Sequence, residues 1–234
     1  MMAATASIAS PSYAASRARL ETYFDRTARD AWDRLTSDAP VSGIRATVRA
    51  GRDAMRASLL SWLPADMTGL RLLDAGCGTG SLAVEAARRG AEVVAIDVAA
   101  GLVAIARERA PEGLRIDWRV GDMLDPALGR FDHVVAMDSL IHYRAGDIVD
   151  TVAALADRTR TLSFTFAPLT PVLTAMHLAG KLLPRGNRSP AIEPVREAAL
   201  RRRLADALPQ HRIARDRRVT TGFYMSHALE LVRA

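Results

Sequence analysis

Apolar and polar positions along the chain fall into three rhythms. From Leu20 to Leu35 ("LETYFDRTARDAWDRL") apolar side chains recur at helical spacing, at Leu20, Phe24, Ala28, Ala31 and Leu35, with Tyr23 on the margin of the stripe. A second helix is predicted from about Ile44 to Leu63, stopped by Pro64. Short apolar runs then alternate with helical periods. "LRLLDAG", "EVVAID", "LRIDWRVGD", "RFDHVVAMDS" and "TRTLSFTFAP" read as five strands, separated by helices through "SLAVEAARRG", "AAGLVAIARERA" and "DIVDTVAALADR". Strand and helix alternating at this spacing imply a mostly parallel sheet covered on both faces. After the fifth strand the alternation stops. "LTPVLTAMHLAGKLLPRGNRSP" reads as a nearly apolar helix and a Pro/Gly/Arg loop, "EPVREAALRRRLADAL" as a basic helix, and "HRIARDRRVTTGFYMSHALELVRA" as two closing antiparallel strands. The expected organisation is a tail with lid helices at 1–66 and an α/β domain at 67–234, with a cap segment at 169–192.

Composition changes this picture little. At 234 residues, with 49% hydrophobic and 25% charged positions, the chain fits one large domain with a cap. Its net charge of +6 would suit anionic partners. Almost all of the positive charge is arginine, however, with Lys181 the single lysine, so the charge reads as compositional bias. One cysteine, Cys77, cannot form an internal disulfide, which favours a cytoplasmic setting. Nothing approaches the roughly 20 apolar residues of a membrane span. "MMAATASIAS" lacks the basic and apolar regions of a secretory leader and reads as a disordered terminus. His133, His177, His211 and His227 show no metal-ligand spacing, so no protein-bound metal is expected.

The chemistry begins at "LLDAGCGTGSLAVEAA", which passes from strand through a glycine turn into a helix. Gly76, Gly78 and Gly80 permit a sharp turn and close approach of a ligand, and the helix start offers unpaired amides. Asp97 ends the next strand beside Val98, placed to accept ribose hydroxyls. Such a turn also serves dinucleotides. Three details shift the reading. The spacing is G-x-G-x-G, with Ser81 at the third dinucleotide glycine. Asp74 precedes the loop and can receive an ammonium group. Gly121, Asp122 and Met123 end the third strand, where a carboxylate beside an apolar side chain suits an adenine. An amino acid joined to an adenosine is S-adenosylmethionine. Cys77, between two of the glycines, reads as a small side chain that fits a tight turn.

These motifs, in this order over about Leu70 to Pro168, resemble the class I S-adenosylmethionine-dependent methyltransferases, which implies a Rossmann-like fold. In that fold the fourth strand ends beside the methyl group, so "MDSLIHY" would bring Met137 to the cofactor and Asp138, Ser139, His142 and Tyr143 to the acceptor. The run lacks the prolines of amine and amide methyltransferases, leaving an oxygen acceptor open.

The flanks narrow the resemblance. "YFDRTARDAWDRL", "VRAGRDAMRASLLSWL", "DSLIHY" and the "FTFAPLTPVL" and "GKLLPRG" runs together are similar to the magnesium protoporphyrin IX O-methyltransferases of bacteriochlorophyll and chlorophyll synthesis, in their purple-bacterial form. That resemblance implies methyl transfer to a propionate carboxylate of Mg-protoporphyrin IX, with magnesium arriving only inside the substrate. It implies roles for Tyr23 and His142 in orienting the propionate or holding the macrocycle, with axial ligation of the substrate magnesium as a second role for His142. It also implies the magnesium chelatase large subunit as a partner. The apolar cap would cover a flat porphyrin and offer a contact to the photosynthetic membrane. Arg185 and Arg188 follow it and could pair with the second propionate, and Arg52 could face the cofactor's carboxylate. Two other acceptors stay open: a phenol or quinone precursor, for which His142 would be a general base, and RNA, against which the lack of interleaved aromatic and basic residues speaks.

Overall fold

The computed structural model describes residues 10–26, 36, 43–170 and 192–234. Seven strands form one sheet: β1 (Arg71–Ala75), β2 (Glu92–Asp97), β3 (Ile116–Val120), β4 (Phe131–Ala136), β5 (Thr159–Phe166), β6 (His211–Thr221) and β7 (Tyr224–Arg233). Their spatial order is β3-β2-β1-β4-β5-β7-β6. β1 to β5 run parallel, and β7 is antiparallel to both β5 and β6. The helices among the described residues are α1 (Pro11–Arg26), α2 (Ile44–Trp62), α3 (Ser81–Arg88), α4 (Ala100–Arg109), α5 (Ala145–Ala156) and α6 (Glu197–Ala207).

The central strands are continuous apolar runs because both faces are buried. Successive residues point to opposite sides. Leu73, Val94, Ile96, Val134 and Ala136 join one cluster, with Ile148, Val152 and Leu155 of α5 and Leu200 and Leu204 of α6. Leu72, Val93, Ala95 and Val135 join the other, with Met55 and Leu59 of α2 and Leu82, Ala83 and Ala86 of α3. β6, on the rim, is largely exposed and carries Arg212, Arg215, Arg217 and Arg218, charges that protect an open edge from pairing with another chain. Arg201 of α6 binds Glu197 one turn before it (2.9 Å) and reaches across to Asp216 of β6 (2.6 Å).

Two local features position α1 and α2. Gly51 sits in the interior of α2, where glycine costs about 1 kcal/mol relative to alanine. A Cβ there would lie 2.4 Å from the ring of Tyr224, so glycine is what lets α2 press onto the β6–β7 hairpin. α1 starts at Pro11, nine residues before the helix expected from Leu20, because the N-terminal turn is fixed by tertiary bonds that no periodicity reports. Ser10 and Ser12 donate through their hydroxyls to Oδ1 of the buried Asp147 on α5 (2.5 and 2.6 Å). β4 ends at Ala136, short of the expected Ser139, and Asp138 takes a left-handed backbone (φ 55°) that turns the chain out of the sheet. The second half of the Leu20–Leu35 helix, the apolar cap, Arg185 and Arg188 lie outside the described residues.

Candidate active site

The strand order reverses between β1 and β4, and a crevice opens there at the carboxyl ends of parallel strands. It widens into a cavity of about 890 Å³, near the top of the roughly 300–1,000 Å³ range of small-molecule sites. Its floor is the glycine turn. The backbone N–H groups of Gly76 and Cys77 both donate to Ile96 O (2.8 and 3.0 Å), folding the turn back on β2. Gly76 has φ 83°, and a Cβ on it would sit 2.3 Å from Cβ of Ser139. Gly80, at φ 79°, starts α3 and packs against Trp118; unlike Gly76, Cys77 and Gly78, it does not line the cavity.

Two carboxylates brace this turn. Asp97 accepts from Gly78 N (2.9 Å) and Ala99 N (2.9 Å), with Val98 between them facing the cavity. Asp74 is buried at the end of β1 and accepts from Ala83 N in the first turn of α3 (3.1 Å). Burial raises its pKa to about 7, and the charge of Asp97 adds to the rise, while the Ala83 bond opposes it. Asp74 lines the cavity, and a cation beside it would favour its ionised form. Burial also pushes the Cys77 thiol well up, reinforced by Asp97 and Asp74, which removes it as a nucleophile at physiological pH.

The third strand end departs from expectation. Gly121 and Met123 line the cavity, but Asp122 does not. Its carboxylate is taken by α1: Oδ1 accepts from Tyr13 Oη (2.7 Å) and Oδ2 pairs with Arg17 (2.8 Å). Tyr13 also stacks on Tyr143, with ring centroids 4.9 Å apart. Tyr143 is buried, and burial raises the pKa of both phenols, so they remain neutral. Asp122 therefore anchors the N-terminal helix beside the cofactor wall. Tyr13 and Arg17 precede the apolar stripe, so no local pattern marks them.

The end of β4 supplies the opposite wall. Met137 and His142 line the cavity, His142 from a short 3-10 turn (Leu140–His142). Ser139 lines it too, and its buried hydroxyl has no hydrogen-bond partner among the described residues. Asp138 is nearly enclosed: its carboxylate pairs with Arg52 of α2 (2.9 Å) and accepts from Tyr224 Oη (2.9 and 3.2 Å), and its N–H donates to Thr165 Oγ1 (2.7 Å). Asp138 lines the cavity, with its carboxylate oxygens already engaged by Arg52 and Tyr224. Phe24, not Tyr23, lines the cavity; Tyr23 meets the Phe24 ring edge-on (centroids 5.1 Å), and Phe24 faces His142 (6.3 Å).

The crevice thus brings together the glycine turn, the strand-end Asp97, the buried Asp74 and the apolar Met123. Among the described residues no three His, Cys, Asp or Glu side chains could hold a metal ion. The cofactor half meets an acceptor half built from β4, β5 and β7. Residues 72–161 match the methyltransferase domain model, and residues 136–233 match the model of the magnesium-protoporphyrin IX methyltransferase C-terminus. The magnesium-protoporphyrin O-methyltransferase of Rhodobacter capsulatus is 54% identical over 93% of this chain and 97% of its own. That of Synechocystis is 35% identical over 91% and 94%. The crystal structure of the Synechocystis magnesium protoporphyrin IX methyltransferase with bound SAH superposes with a TM-score of 0.82 at 32% identity, covering 93% of this chain and 99% of that one. With identity sustained over nearly the whole length of both chains, and a matching fold, this chain belongs to the magnesium-protoporphyrin IX methyltransferase family.

Proposed function

We infer that the protein transfers a methyl group from S-adenosylmethionine to one propionate carboxylate of Mg-protoporphyrin IX, giving the monomethyl ester in (bacterio)chlorophyll synthesis. The observation that carries this reading is the near full-length identity to relatives of that name, combined with one cavity that runs from the glycine turn to His142. The residues present fit the co-substrate: Asp74 for its ammonium, Asp97 for the ribose, and Gly121 and Met123 for the adenine face. When bound, that molecule supplies an electrophilic methyl carbon on a positively charged sulfur.

A propionate is ionised at pH 7, since its carboxyl group titrates near 4, so no strong base is needed to make the nucleophile. A carboxylate oxygen forms the new C–O bond as the S–CH₃ bond breaks, its electron pair staying on sulfur. The protein's work is alignment and exclusion of water. His142 lines the cavity and can hold the carboxylate. Tyr23 braces Phe24, so its part in holding the macrocycle runs through that ring. The magnesium belongs to the substrate.

Delivery of that substrate by the magnesium chelatase large subunit, and contact of the apolar cap with a membrane surface, are supported by the family resemblance. Among the described residues no helix is long and apolar enough to cross a membrane. The test is a methyl-transfer assay with purified protein and Mg-protoporphyrin IX, resolved by pigment chromatography, with metal-free protoporphyrin alongside. Monoester from the magnesium form is expected. No ester, with S-adenosylmethionine still bound, would refute the porphyrin acceptor and leave a phenol or RNA in its place.

A further inference from the structure

Protoporphyrin IX carries two propionates on neighbouring pyrroles, and only one is esterified in a monoester. Some feature of the site has to distinguish a diacid from its own product. Arg52 stands where such a feature is needed. It projects from α2 into the acceptor half of the cavity, with a side chain 21% exposed. One guanidinium nitrogen is pinned at 2.9 Å by Asp138, whose side chain is only 5% exposed. Asp138 is itself immobilised from three strands. Its own left-handed backbone ends β4, Thr165 of β5 accepts its N–H and donates back to Oδ1 (3.3 Å), and Tyr224 of β7 donates to both oxygens. Burial, aided by the Asp138 charge, keeps the Tyr224 phenol protonated for that purpose. A non-glycine residue at φ 55° is strained, and it persists where surrounding bonds over-determine it.

The outcome is an arginine whose position is fixed before any ligand arrives, with Arg49 and Arg56 on the same side of α2 and also lining the cavity. A fixed guanidinium is the side chain best matched to a carboxylate, because its N–H groups form a rigid fork. The placement favours a substrate carboxylate over the cofactor's. Asp138, Thr165 and Tyr224 belong to the β4–β5–β7 half of the sheet, whereas the glycine turn, Asp74 and Asp97 lie on the β1–β2 half.

We propose that Arg52, held in place by Asp138 and Tyr224, binds the propionate that is not methylated and so makes the enzyme select the diacid and stop at the monoester. The proposal rests on the reading above that the acceptor is a dicarboxylic porphyrin. A second methylation would require the monoester to turn over in the site and lay its neutral ester against Arg52 and the buried Asp138 charge. Lost pairing of this kind discriminates roughly ten- to a hundredfold.

The experiment compares kcat/KM for Mg-protoporphyrin IX and for its monomethyl ester in wild type, Arg52→Gln and Arg52→Lys, with the Kd for S-adenosylmethionine measured on each by calorimetry. Arg52→Lys keeps a cation beside Asp138 should Arg52→Gln fail to fold. Wild type is expected to prefer the diacid. The variants should lose roughly ten- to a hundredfold on the diacid while changing the monoester less than threefold, with cofactor affinity intact. Equal losses on both substrates, or a loss that falls on cofactor binding, would overturn the assignment. So would discrimination that survives in the Arg52 variants and disappears in Arg185→Gln/Arg188→Gln. If wild type makes no ester at all, the proposed function fails. If it esterifies diacid and monoester equally well, the function stands and this inference does not.

Discussion

Asp74 gives the sharpest quantitative test of the cofactor half. Its carboxyl group titrates near 7 in the ligand-free fold instead of at 3.8, mainly because it is buried. The folded state therefore holds a proton that the unfolded chain releases. Ionising Asp74 destabilises the empty protein, with the penalty absent below about pH 4 and complete above about pH 7. The shift corresponds to roughly 4 kcal/mol. An ammonium group beside the carboxylate would cancel much of that penalty, so binding should be coupled to proton release below pH 7. If only the ionised form binds, apparent affinity should weaken about fivefold from pH 7 to 6 and about fiftyfold from pH 7 to 5. Calorimetric titration with S-adenosylmethionine in two buffers of different ionisation enthalpy would count the released protons. Asp74→Asn can still accept from Ala83 N, so it should leave the empty protein as stable or more stable at pH 8. It should also weaken binding and flatten its pH dependence. A Kd that is constant from pH 5.5 to 7.5, or an Asp74→Asn profile that parallels wild type, would refute the assignment of Asp74 to the ammonium group.

Four further outcomes are expected. Gly51→Ala gains about 1 kcal/mol of helix propensity but drives a Cβ to 2.4 Å from the Tyr224 ring, so a net loss of roughly 1–3 kcal/mol should appear as a lower denaturant midpoint; an unchanged midpoint would show that α2 can shift off the hairpin freely. Tyr13→Phe removes the bond to Asp122 and should cost about 1–2 kcal/mol, with faster amide hydrogen exchange confined to α1 and its contacts; unaltered exchange there would mean that Arg17 alone secures the helix. His142→Ala should lower kcat at least about tenfold with the Kd for S-adenosylmethionine within about threefold, as loss of acceptor alignment requires. At saturating cofactor the wild-type rate should show no rise from pH 7 to 9, because a carboxylate is already ionised there; an alkaline rise that vanishes in His142→Ala would instead mark a general base and a phenolic acceptor.

The fold was legible because its signals are local. Five apolar runs of strand length, separated by helical periods, can only be buried as a parallel sheet covered on both faces, and the antiparallel closing pair followed from the same reasoning. The glycine turn was legible as well, since Gly76 and Gly80 need left-handed backbones that other residues avoid. Asp74, Asp97 and Met123 stand at strand ends, and the alternation of elements gives those ends away. The fate of individual polar groups was not legible. Asp122 and Asp138 each follow a strand as the motif pattern requires, yet Asp122 is claimed by Tyr13 and Arg17, more than a hundred residues earlier, and Asp138 by Arg52 and Tyr224. Hydrogen-bond partners so distant in sequence leave no periodicity. The same holds for Gly51, whose reason is a tyrosine ring at the far end of the chain, and for Phe24 rather than Tyr23 facing the cavity, which depends on how α1 is rotated by its anchors. Local patterning determined which elements form and where a nucleotide-like ligand meets them. Only tertiary packing decided which carboxylates line the cavity and which hold the N-terminal helices, because a buried polar group must find a partner and the chain supplies one from wherever the fold brings it.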